Sequence, residues 1–442
     1  MKSLKRGSRL ITLMISVFII GMIVLIAKIQ MEASFYISNS GSRNLGYIYD
    51  RNGDIIFDDN AENGQYPDGY FKDLGNLIGD ASGQMTNTLV AKNLEKLSNY
   101  SFTSGITYKG GKAAIYSTLS HEANEAVYSA FGDKDGCAIA YNYKTGEILV
   151  CVSRPSVDPL KGYEDLLCKA FYKTVPGSTQ KIATLISAVE TMGMDALMEK
   201  SFTCNGVYTN NTGLDIVCHN EYGHGTQNIR EAFANSCNPF FAQLVEDSGW
   251  SLSDIEDCYK KLGYSVNGSE ETEISIDGII SSKASTTLED KNEFNTQWSC
   301  IGQGTSLVSP CQLMMWQSAI ANESGKSTMP YLIDHVTNVN GRTVENASTN
   351  YSEQLFSSQT ASEVKDIMLE NGLNYTGKIP GYTLGIKSGT AQVKDGKEEN
   401  SLLTGFVDDK DFPIAFAILI ENRESYDVST EYIASVILDS LS

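Results

Sequence analysis

The sequence predicts an α/β fold of the mixed α+β kind. One sheet is assembled from distant segments around a helical insertion, behind a single membrane-spanning helix. Three observations carry this reading. Apolar strand-like runs stand on both sides of the larger part of the chain, at residues 137–141 and 148–152 and again at 382–393, 401–407 and 414–421. Helical patterning dominates between them, from 178 to about 262. Residues 10–27 hold no charged side chain, which meets the lower limit of about 18 residues for a membrane-spanning helix. Because strands and helices must bury a common core, strands separated in this way are expected to meet in one sheet.

Taken in order, Lys2, Lys5, Arg6 and Arg9 precede the apolar run and Lys28 closes it. Basic residues on the amino side predict a cytoplasmic N-terminus with the rest of the chain outside. A cleaved signal peptide would have a shorter apolar region and a small-x-small site, which is not found after Ala27, so an uncleaved anchor crossing once is expected. Residues 44–56 alternate around Asn52-Gly53 and read as a hairpin. Residues 60–111 are mixed, with helical spacing at 89–97, and suit a pedestal rather than an enzyme. A second unit starts near Lys112: a helix at 120–130, the two strands joined by Tyr143-Lys144-Thr145-Gly146, the helical stretch, the three later strands, and a closing amphipathic helix at 430–441 with Ser429 as N-cap. The expected organisation is a cytoplasmic tail at 1–9, an anchor at 10–27, a pedestal at 28–111 and a catalytic domain at 112–442.

A formal charge of −20 and a pI of about 4.6 argue against nucleic-acid binding, which needs a basic face. Nine cysteines cannot all pair within one chain. Cys137 and Cys151 read as small buried apolar residues, and Cys204 and Cys218, which bracket a turn-rich loop, are the best disulfide candidates. Cys204, Cys218, His219 and His224 could be grouped as a zinc set, but their spacing fits no structural zinc motif.

The chemistry-bearing pattern begins at Ser178-Thr179-Gln180-Lys181. Pro176-Gly177 and the apolar run that follows mark a turn feeding a helix, and residues three apart share a helix face. Lys181 can then reach the Ser178 hydroxyl, and a desolvated lysine can take its proton. Ser236-Cys237-Asn238 and Lys387-Ser388-Gly389-Thr390 follow. Separately these are a helix cap, a loop and a polar strand. In this order they are the signature of penicillin-recognising serine acyl-transferases.

On these residues the chain resembles a class B penicillin-binding protein of the short, single-anchor kind. Tyr49-Asp50-Arg51-Asn52-Gly53, the strand turn at Tyr143 to Leu149, Ile301-Gly302-Gln303-Gly304 with Val308-Ser309-Pro310, and His224-Gly225 extend the resemblance. It implies the penicillin-binding transpeptidase fold: an antiparallel sheet flanked by helices, a helical subdomain and a pedestal. It also implies that Ser178 attacks the penultimate D-Ala carbonyl of a peptidoglycan stem peptide, that Lys181 takes the proton, and that Ser236, between Lys181 and Lys387, passes it to the leaving amine. Asn238 would bind the substrate amide and fix Lys181. Lys387 would supply positive potential, the Ser388 and Thr390 hydroxyls would hold the terminal carboxylate, and Gln392 would line the cleft beyond Gly389. Backbone N–H groups of Ser178 and Thr390 would form the oxyanion hole. No cofactor or metal is implied, since serine acyl transfer needs neither. Stem peptides, β-lactams, the membrane and a glycosyltransferase of the elongation or division type are the implied partners.

A β-lactamase or a D,D-carboxypeptidase of the same fold, or a non-catalytic penicillin-binding division scaffold, would share these motifs. A β-lactamase also needs an activated deacylating water. No acidic deacylation motif lies between Ser236 and Lys387, where Glu270, Glu271 and Glu273 read as a solvated loop. A sensor would need a cytosolic signalling domain, and only about nine residues precede the anchor. The leading expectation is a membrane-anchored D,D-transpeptidase that crosslinks peptidoglycan.

Overall fold

The apolar runs at the two sides of the chain do meet. In the computed structural model, which describes residues 2–31, 45–58, 70–80, 84–98, 100–101, 105–106, 111–157, 167–394, 396–424 and 428–442, five strands form one antiparallel sheet. Their order is Leu384–Val393, Glu398–Val407, Ile414–Ile420, Gly136–Asn142 and Ile148–Arg154. Successive side chains of a strand point to opposite faces, and here both faces are buried, which is why the inner strands read as unbroken apolar runs. Ile414, Phe416, Ile418 and Ile420, with Ala138 and Ala140, face the His121–Ala130 and Thr430–Leu441 helices through Val127, Phe131, Ile433 and Ile437. Ala415, Ala417 and Leu419, with Cys137, Ile139 and Tyr141, face the other way, into a core that holds Trp316 of the Pro310–Ala321 helix.

Several local expectations hold. Ser120 caps the 121–130 helix, its hydroxyl accepting from Ala123 N, and Ser429 caps the last helix by accepting from Tyr432 N. The hairpin is Tyr47–Tyr49 against Ile55–Asp58, while its expected first residue, Asn44, lies outside the described residues. The 89–97 stretch is not one helix but two short ones, Leu89–Lys92 and Leu94–Leu97. Asn93 interrupts it, because its side-chain amide donates to the carbonyls of Leu89 and Asp277 and so competes with helix continuation. The 178–262 region is less helical than expected. Short strands at Phe202–Cys204, Val207–Thr209, Asp215–Val217 and Gly225–Gln227 interrupt it, turned by Gly206, Gly213 and Gly223. Glu273 opens a strand, Glu273–Ile276, rather than lying in a loop, and Glu271 pairs with Lys173 at 2.5 Å.

A second five-stranded sheet runs Thr343–Asn346, Ile333–Thr337, Ala114–Ser117, Tyr47–Tyr49, Ile55–Asp58. It joins the hairpin to strands from far downstream. The N-terminal helix Lys2–Met31 contains Arg9–Ile29, which is long and apolar enough to cross a membrane.

Candidate active site

Ser178 lies in a tight turn, Gly177–Gln180, that runs into the helix Lys181–Met192. Nearly every side chain on that helix is buried, so it carries Lys181 inward as well, to 0% exposure. Burial pulls the Lys181 amine well below its ordinary value, and the charge of Lys387 adds to this. Its Nζ lies 2.7 Å from Ser178 Oγ, 2.7 Å from Asn238 Oδ1, 2.9 Å from the Ser236 carbonyl and 3.3 Å from Ser236 Oγ. A neutral amine there can donate to the carbonyl and the amide oxygen while its lone pair faces the serine hydroxyl. This is the geometry of an activated nucleophile and its base.

Ser236 reaches this point through an unusual backbone. Asn228 and Glu231 form a reciprocal capping box on the Ile229–Ala234 helix. After that helix the chain reverses through Ser236 at φ +50°, then starts Asn238–Glu246 with Pro239 in its first turn. A left-handed non-glycine residue costs free energy and persists only where its surroundings hold it. Here it puts Ser236 Oγ within reach of both lysines, 3.0 Å from Lys387 Nζ and 3.3 Å from Lys181 Nζ. Asn238 is held at both ends of its amide, with Oδ1 on Lys181 and Nδ2 donating to the Val217 carbonyl at 3.0 Å.

The third motif lies on the edge strand of the sheet, Leu384–Val393, beside the Ser178 turn. Alternation turns Lys387 inward, at 1% exposure, and Ser388, Thr390 and Gln392 toward the cleft. Burial lowers the Lys387 amine to about 7, so it is part protonated near neutrality. Gly389 is required by close approach, because a Cβ there would sit 2.9 Å from the Pro176 carbonyl and 3.1 Å from Ser178 N. Gly302 serves the same turn from the other side. It ends the Phe294–Ile301 helix at φ +105°, and a Cβ would meet the Gly177 carbonyl at 1.7 Å.

Ser178, Ser236, Asn238, Ser388, Gly389, Thr390 and Gln392 line one cleft of about 690 Å³, with Lys181 and Lys387 beneath it. Sequence reasoning missed its apolar wall, Phe294 and Trp298, stacked with centroids 5.5 Å apart, and its acidic members Asp215 and Glu399. It also missed Tyr375, whose hydroxyl lies 2.7 Å from Ser388 Oγ. These residues come from segments with no motif of their own. Gln303, in the Gly-Gln-Gly segment, does line the cleft.

All nine cysteines are free, so the expected Cys204–Cys218 bridge is absent. The zinc grouping considered from sequence is also altered. Cys204, Cys218 and His224 do converge, but their fourth neighbour is Cys237, inside the second motif, while His219 lines the cleft.

Sheet, cleft and motif order together define the class of penicillin-recognising serine proteins. Residues 136–439 match the family model described as penicillin binding protein transpeptidase domain, and the chain belongs to that family. It is 29% identical over 328 residues to stage V sporulation protein D of Bacillus subtilis, covering 69% of this chain and 48% of that protein. It is 25% identical over 352 residues to the peptidoglycan D,D-transpeptidase PbpA of Mycolicibacterium smegmatis, covering 73% and 69%. The chain thus spans about half the length of the sporulation protein. Among solved structures, the D,D-transpeptidase domain of a peptidoglycan glycosyltransferase from Eggerthella lenta superposes with a TM-score of 0.75 at 22% identity, over 90% of this chain and 98% of that one. A ceftriaxone acyl-enzyme complex of penicillin-binding protein A from Mycobacterium tuberculosis does so with a TM-score of 0.75 at 19% identity, over 90% and 98%. These likenesses establish the fold.

Proposed function

We propose that this chain is a membrane-anchored D,D-transpeptidase that crosslinks peptidoglycan stem peptides through an acyl-enzyme on Ser178 and is acylated there by β-lactams. The observation that carries the reading is the continuous line from Ser178 Oγ to Lys181 Nζ, Ser236 Oγ and Lys387 Nζ, with separations of 2.7, 3.3 and 3.0 Å. Neutral Lys181 takes the Ser178 proton as Oγ attacks the penultimate D-Ala carbonyl carbon. The C–N bond to the terminal D-Ala then breaks, and Ser236 relays the proton to the departing amine. Attack on the ester by the amine of a second stem peptide forms the crosslink and restores Ser178. The Ser178 and Thr390 N–H groups stabilise the oxyanion, and the Ser388 and Thr390 hydroxyls, with Lys387 behind them, receive the terminal carboxylate. Asn238 positions Lys181, and its second amide hydrogen can serve the substrate.

The apolar helix anchors the chain with its N-terminus inside and the cleft outside. Residues 1–9 are the tail, 10–27 the anchor, 28–111 the pedestal and 112–442 the catalytic domain, and a glycosyltransferase of the elongation or division type is the expected neighbour in the membrane. The test is the fate of a penicilloyl adduct. The full-length chain in detergent, mixed with one equivalent of penicillin, should show a stable mass increase for minutes to hours that Ser178→Ala abolishes. Rapid return to the unmodified mass, with hydrolysed penicillin accumulating, would make the protein a β-lactamase instead. Asp215 and Glu399 would then be the first residues to question.

A further inference from the structure

Cys204 ends one short strand, Cys218 follows another, His224 precedes a third, and Cys237 stands between the helices that carry the second motif. Their sulfur and ring-nitrogen atoms all lie within 4.8 Å of one another, and the Cys218 Sγ to His224 Nδ1 distance is 3.5 Å. A tetrahedral zinc site with Zn–S of about 2.3 Å and Zn–N of about 2.0–2.1 Å has ligand–ligand edges of roughly 3.5–3.8 Å. With no separation above 4.8 Å, the cluster needs contractions of at most about 1.0–1.3 Å along any edge to fit that tetrahedron. The three cysteines are buried, at 1%, 4% and 0% exposure, and His224 is half-buried. A disulfide between any two of the thiols would leave a buried third thiol and an imidazole aimed at the same point. One soft divalent cation satisfies all four at once, and thiolate-rich donor sets select zinc among the common metals.

We propose that Cys204, Cys218, His224 and Cys237 bind one structural Zn²⁺, and that this ion positions the second catalytic motif. The four ligands close the coordination sphere, so the metal has no open position for substrate and takes no part in acyl transfer. Its role follows from where the ligands sit. The 202–227 region consists of two-stranded ladders, 202–204 with 225–227 and 207–209 with 215–217, and such pairs are marginal by themselves. Val207, Leu214, Val217 and Tyr222 of this arm are exposed, so it has little apolar core of its own. A metal bond from the arm to Cys237 ties it to the turn that holds Ser236 at φ +50°. Cys237 is flanked by Ser236 and Asn238, and Asn238 also takes the Val217 carbonyl, one residue before Cys218. Losing the metal would free both ends of that turn, and with it the partners of Lys181 and Lys387.

Metal binding is independent of the transpeptidase reading; the positioning effect rests on it, and the two are measured separately. The full-length chain, purified in detergent without chelator, should hold about one zinc per chain by elemental analysis, with an X-ray absorption spectrum fitting three sulfur ligands and one nitrogen. His224→Ala and Cys204→Ser should lower the content to a small fraction of that, while Cys258→Ser, remote from the cluster, should keep it. Stripping zinc from the wild type with a chelator and restoring it with ZnCl₂ avoids dependence on variants that fail to fold. The second-order rate of labelling by a fluorescent penicillin should fall at least about tenfold on stripping, since displacing a catalytic group by about 1 Å can cost 10²-fold, and recover on restoration. Less than a tenth of an equivalent of zinc after ZnCl₂ supplementation, or a mass two units low showing a disulfide within the cluster, would overturn the metal site. Full zinc occupancy with labelling unaffected by its removal would overturn the positioning role alone. Absence of any labelling in zinc-replete protein would count against the transpeptidase reading and leave the metal site standing.

Discussion

Replacing Lys181 with methionine isolates the base. Methionine keeps an unbranched apolar side chain, with sulfur in place of one methylene, and removes the amine, which lies 5.7 Å from the Phe241 ring centroid. Ser178 Oγ then loses the group 2.7 Å away that can accept its proton, and Lys387 Nζ reaches the serine only through Ser236 Oγ, at 3.0 Å from that hydroxyl. General-base catalysis of this kind contributes about 10²–10⁴, which is roughly 3–5 kcal/mol at 1.36 kcal/mol per tenfold. Two half-buried acceptors, the Ser236 carbonyl and Asn238 Oδ1, also lose a partner, at about 1 kcal/mol each, because both face the cleft and water can replace the amine. Removing a fully desolvated amine offsets part of that, so the variant should fold with a modestly lower Tm. The assay is the second-order rate constant of acylation by a fluorescent penicillin on full-length protein in detergent, with far-UV circular dichroism as the control for folding. A fall of 10²–10⁴ in rate with a retained spectrum is the expected result. A folded Lys181→Met protein that acylates within tenfold of wild type would refute the assignment. Lys387 would then have to reach Ser178 through Ser236, and the ordering of the two lysines would be reversed.

Two further outcomes are expected, one from the burial of Lys387 and one from the charges that flank the anchor. Because burial holds Lys387 near 7, the acylation rate constant of the free enzyme should fall as pH rises through about 7, where that amine loses its charge. Lys387→Arg keeps the charge at every accessible pH, so any residual activity should lack that alkaline limb; an unchanged limb would exclude Lys387 as its source. The basic residues before the anchor predict that a reporter fused after Ser442 works only outside the membrane, and activity of a cytosol-only reporter at that position would refute the orientation.

What the sequence determined by itself is what depends on neighbours along the chain. The 430–441 helix was legible with its Ser429 cap, because a cap is a hydrogen bond across three residues. The central strands were legible because burial on both faces leaves an unbroken apolar run, and their ends moved by only a few positions, as from Ser401 to Glu398. Ser178 and Lys181 could be paired in advance because one helical turn sets their separation. The nine proposed site residues likewise stand in three short segments whose order could be read directly.

Tertiary structure decided everything that depends on contacts between distant segments. It put Lys387 on the edge strand beside the Ser178 turn and Ser236 between two lysines, 151 residues from the second of them. It recruited Phe294, Trp298 and Tyr375 to the cleft and its surroundings, although none has a signature, because any aromatic residue of a packed segment can fill such a wall. It carried strands 333–337 and 343–346 into the sheet of the N-terminal hairpin, which periodicity along the chain cannot reveal. The cysteines show the division most sharply. Spacing suggested a Cys204–Cys218 bridge and no metal motif, because the fourth member of the group lies beyond a helix, at Cys237. A ligand set is a condition on distances in space, and sequence separation constrains those distances only within a turn or two of regular structure.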